Sequence, residues 1–106
     1  MDGFTFKAVL PAVEGRWSAI TFRYRPMSPD EESEIFARLR LEPTAPSIAF
    51  YAPVMAQKIL GWDLKDHDGN AVPISEDVLR KRIPPQLFDA FKQYVDGTLM
   101  GDREKN

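Results

Sequence analysis

The chain has 106 residues, 43% of them apolar, a formal net charge of −2 and no cysteine. That is enough for one compact core and too little for two. The missing cysteines exclude disulfides, thiolate metal sites and cysteine nucleophiles, and the charge balance argues against a general nucleic-acid or membrane-surface binder.

Phe4 to Leu10 alternates, with Phe4, Phe6, Ala8 and Leu10 on one face and Thr5 and Lys7 on the other. Trp17 to Arg25 alternates again, placing Ile20, Phe22 and Tyr24 opposite Thr21, Arg23 and Arg25. Period-two patterning with aromatic and β-branched residues predicts two strands, joined through Pro11–Gly15 as an antiparallel hairpin and ended by Pro26.

Ser28-Pro29-Asp30-Glu31 carries the signals of a helix start: a capping serine, a proline in the first turn and a glutamate that completes a capping box. The predicted helix stops near Leu41, with Ile35, Phe36 and Leu39 as its buried stripe. Residues 44–60 repeat apolar side chains at helical spacing around Pro53, which predicts a kinked helix closed by Leu60 and Gly61. Trp62–Lys65 and Ala71–Ile74 read as short strands around the Asp66–Asn70 turn, a second hairpin. Ser75 caps a short helix to about Arg82, Pro84-Pro85 breaks it, and a last helix runs to about Leu99. The fold class is therefore α+β: an N-terminal antiparallel hairpin, two helices, a short hairpin and two C-terminal helices, as one domain over residues 1–101. Residues 102–106 read as a frayed tail.

Asp66, Asp68 and Asn70 occupy the first, third and fifth positions of a calcium-loop pattern, with Asp77 at the twelfth. Ala71 stands where that loop needs glycine, and strands flank it instead of helices, so a solvated turn is the better reading. His67, the single histidine, lies among these turn residues without a nucleophile motif. Ser28 and Ser75 are explained as caps. Arg16, Arg23 and Arg25 alternate with Trp17, Phe22 and Tyr24, but the alternation puts Phe22 and Tyr24 opposite Arg23 and Arg25, unlike a nucleic-acid stacking platform. Arg80-Lys81-Arg82 suits an acidic partner, but its place at a helix C-terminus, where basic residues complement the dipole, is the better account. No catalytic residues, metal ligands or cofactor emerge from this pattern. The first residues lack a basic stretch followed by an apolar run, and no stretch approaches membrane-spanning length.

The C-terminal half places Gly61-Trp62-Asp63-Leu64, Asp66-His67-Asp68-Gly69-Asn70, Val72-Pro73-Ile74-Ser75 and Ile83-Pro84 in order after a helix. This order resembles small proteins of long-tailed phage and prophage tail modules, of the tail assembly chaperone type. The opening hairpin followed by Met27-Ser28-Pro29-Asp30-Glu31 is similar to their beginning. The resemblance implies a non-enzymatic protein in the cytoplasm of a bacterial host. It would hold apolar segments of a tail (tape-measure) protein, with no nucleic acid, membrane or cofactor involved. A structural tail or connector subunit and a general bacterial protein-interaction domain are the alternatives. Shielding apolar surface needs an adaptable groove, for which Tyr51, Met55, Trp62, Phe88, Phe91 and Tyr94 are the candidate partner-binding residues. Against that stands their ordinary role as core stripes.

Overall fold

The computed structural model describes residues 4–104. It shows the α+β fold. Strands β1 (Phe6–Leu10), β2 (Ile20–Tyr24), β3 (Ile59–Trp62) and β4 (Asp102–Arg103) form one antiparallel sheet in the order β3-β2-β1-β4. Helices α1 (Pro29–Leu41) and α2 (Ile48–Lys58) lie between β2 and β3, and α3 (Glu76–Lys81) and α4 (Pro85–Val95) between β3 and β4.

The opening hairpin pairs Phe6 with Tyr24 and Leu10 with Ile20, and buries the inner residues Phe6, Ala8, Leu10, Ile20, Phe22 and Tyr24. One face of this sheet is core and the other meets water, the usual arrangement for antiparallel strands with alternating sequence. Helix α4 lays its apolar stripe on the inner face. The Phe91 ring meets Phe22 edge-on at 4.9 Å and Trp62 at 5.3 Å, and Tyr94 meets Phe22 and Tyr24 at 5.5 and 5.9 Å. Aromatic pairs at such spacings add to the free energy of burial.

The capping box of α1 is present as read. Ser28 Oγ accepts from the Glu31 N–H, and Glu31 Oε1 accepts from the Ser28 N–H. Phe36 departs from the predicted stripe: Ile35 is buried, but Phe36 is exposed. The two differ by one position, about 100° around the helix, and only one can face α2. A single helix, α2, runs through Pro53 from Ile48, later than the predicted start at 44.

Three boundaries differ from the sequence reading. After α2 the chain enters β3 directly, at Ile59, and pairs with β2 across a bulge between Arg23 and Tyr24. The second hairpin shrinks to one bridge, Lys65 with Ala71. The Asp66–Asn70 turn survives, because Asp66 Oδ1 accepts from the N–H groups of Asp68 and Asn70 and Gly69 takes φ +84°. Helix α4 ends at Val95, four residues early, where Gly97 adopts φ +87° and Asp96 Oδ1 accepts from the Thr98 N–H.

The predicted tail is also different over its described part. Asp102 and Arg103 pair with Lys7 and Phe6 as β4. The Glu104 N–H donates to Thr5 O, Glu104 binds Arg23 at 2.6 Å, and Arg103 lies 3.9 Å over the Phe4 ring. Thr5 is therefore buried instead of exposed. Residues 105–106 lie outside the described residues.

A candidate binding cleft beside Trp17

The residues first read as a partner-binding groove belong to the interior. Met55 and Phe91 have no exposed surface, and Tyr51 and Phe88 are buried. Trp62 and Tyr94 are half-buried and packed on the same core. The amphipathic stripes of α2 and α4 face each other and the sheet. Burial raises the Tyr51 pKa despite the Lys92 ammonium, which lies 4.5 Å from its ring centroid. The Trp62 indole N–H donates to Val72 O at 2.7 Å, tying β3 to the segment before α3.

A concavity lies elsewhere. The end of the β1–β2 connection, the stretch after β3 and the α3–α4 junction enclose an open cleft of about 600 Å³, within the size range of ligand sites. Trp17, Ile20, Leu64, Val72, Ile83 and Leu87 supply its apolar lining, and Arg16, Lys65 and Arg82 its cations.

Each wall has a local cause. Trp17 is set by a tight turn in which Val13 and Trp17 exchange backbone hydrogen bonds and Gly15 takes φ +76°. Arg16 Nη1 donates to Gln86 Oε1 at 2.6 Å, linking that turn to the start of α4. Asp63 fixes the middle wall: its N–H donates to Thr21 O, and its Oδ1 accepts from the Thr21 N–H at 2.8 Å. Pro84 is extended and Pro85 opens α4, which turns the chain sharply between two helices. Arg82 thus emerges at the cleft while Ile83 is buried.

The acidic and imidazole side chains of the cleft are committed or turned outward. Asp63 and Asp66 accept from backbone N–H groups, and the His67 side chain is 91% exposed. Among the described residues, no group of three or more histidine or acidic side chains is arranged to hold a metal ion. The Asp66–Asn70 segment acts as a turn whose carboxylate binds its own backbone.

Sequence reasoning passed over most of this cleft. One signal was available: Trp17 falls out of phase with Ile20, Phe22 and Tyr24, so strict alternation would place a tryptophan on the wet face beside Arg23. The structure resolves the conflict by starting β2 only at Ile20 and folding Trp17 into the cleft wall.

No family model, curated protein or solved structure matches the chain. Among the described residues, no helix is long and apolar enough to cross a membrane.

Proposed function

We propose that this chain is a non-enzymatic protein-binding factor of phage or prophage tail assembly, of the tail assembly chaperone type. It holds segments of a tail (tape-measure) protein before the tail is complete. The order of motifs from Gly61 to Pro84 supports the tail assignment. The observation that carries the binding reading is the open, apolar-floored cleft beside Trp17. Its shape and lining suit an inserted side chain, and its two carboxylates are tied to backbone donors instead of being free for proton transfer. This reading puts the binding surface at the cleft, because Tyr51, Met55, Phe88 and Phe91 are buried.

Co-expression with a tape-measure polypeptide of a long-tailed phage tail module tests the reading. The two are expected to co-purify, and the chain is expected to be absent from finished tails. Failure to co-purify would remove the chaperone reading. Retention in finished tails would favour a structural subunit instead.

A further inference from the structure

We infer that the Trp17 cleft recognises a short apolar peptide segment flanked by carboxylates, a refinement that rests on the protein-binding reading above. An apolar side chain of the partner sits on the floor formed by Trp17, Leu64 and Leu87. Acidic neighbours on either side meet Arg16, Lys65 and Arg82.

Charge complementarity carries the choice of occupant. The protein is net negative, and six of its fourteen lysines and arginines are paired among the described residues. Arg23, Arg38, Lys58, Arg80, Lys81 and Lys92 each have a carboxylate within 4.0 Å. All three cations of the cleft, Arg16, Lys65 and Arg82, lack one among the described residues.

The end of α3 shows how this arises. Arg80 and Lys81 find Glu76 and Asp77 one turn back, but four positions before Arg82 stands Val78. Arg82 therefore has no acid one turn back on its helix, and it lines the cleft. Arg16 uses one guanidinium nitrogen on Gln86 and keeps further donors. Asp63 and Asp66 temper the positive field, leaving the three cations in excess; one oxygen of each carboxylate accepts backbone N–H groups, one at Asp63 and two at Asp66.

A second observation concerns the floor. The Trp17 indole nitrogen is buried with no acceptor among the described residues. Buried donors are nearly always satisfied, so this one calls for an explanation.

The probe is a capped hexapeptide with Leu-Phe between two pairs of acidic residues, compared with the same peptide carrying lysines instead. The chain has two tryptophans, so two indole N–H signals report in ¹⁵N-labelled protein. The acidic peptide is expected to move the Trp17 signal saturably and to leave that of Trp62, held by Val72 O, in place. The lysine peptide should leave both unmoved. Lys65→Glu with Arg82→Glu, both at exposed positions, should weaken binding of the acidic peptide by at least roughly tenfold. Raising the salt concentration should weaken it as well.

Equal binding of the two peptides, or affinity that survives the double reversal, overturns the inference. If the tape-measure polypeptide co-purifies while the acidic hexapeptide does not bind, the inference falls and the protein-binding reading stands. If neither binds, both fall.

Discussion

Trp17 combines a buried, unpartnered indole N–H with a large apolar ring, and two substitutions separate those contributions. Trp17→Phe removes the stranded donor and some volume together. The losses offset, and urea unfolding is expected to give a stability within about 1 kcal/mol of the parent. Trp17→Ala leaves a void and should cost about 2–4 kcal/mol, less than a fully buried aromatic at the upper end of the range. Glu31 offers a test through pH. Burial opposes its charge, but hydrogen bonds from Lys58 and Ser28, with the Lys58 charge, outweigh it and lower its pKa. Lys58 Nζ lies 2.8 Å from Glu31 Oε1. A carboxylate whose pKa is lowered on folding stabilises fully above its unfolded pKa, and the contribution disappears as pH falls through the folded value. Glu31→Gln should therefore be less stable than the parent at about pH 7 and converge on it near about pH 3. Denaturant titrations at the two pH values measure the difference.

The helices show what local sequence can and cannot specify. The α1 cap, the α3 cap at Ser75 and the start of α4 at Pro85 were legible because each depends on residues within one turn. The β1–β2 hairpin was legible because its alternation is unbroken from Ile20 to Tyr24. The start of β3 was not: Ile59 ends a helical repeat and begins a strand, and only the edge of β2 decides where one passes into the other. Two-residue β4 carries no periodic signal and exists through its partner β1. The cleft was illegible for the same reason, since three separate connections build it. Pro53 is a local exception the fold tolerates. It lies inside α2 and has no N–H for the carbonyl of Ala49. Pro53→Ala restores that donor, and the gain exceeds the added entropy of the unfolded chain. The variant should be more stable by about 1 kcal/mol, read from its denaturant midpoint.

Across the whole molecule, the two ends of the described chain hold one another. Gly101 makes this possible. A Cβ there would stand 2.5 Å from Lys7 O and 3.0 Å from the Ala8 Cβ, and the Gly101 N–H donates to Tyr24 Oη at 2.8 Å. Burial raises the Tyr24 pKa, although that N–H favours the ionised form, so the hydroxyl stays a neutral acceptor at ordinary pH. Gly101→Ala forces β4 away from β1 and should cost about 1–3 kcal/mol. Amide exchange of Glu104, whose N–H bonds Thr5 O, should speed up with it, while the α1 amides beyond its first turn keep their protection relative to global unfolding.

This closure has a consequence for manufacture of the molecule in a cell. Lys7 and Asp102 are partners separated by about 95 positions, and ribosomes add about 5–20 residues each second, so the opening strand waits roughly 5–20 s for its outer neighbour. During that interval the nascent hairpin offers the naked backbone edge of Phe6 and Lys7 to any extended chain nearby. Translation speed thereby sets how long Phe6 and Lys7 of a newborn copy stay open to mispairing, until Gly101 slides home against Lys7.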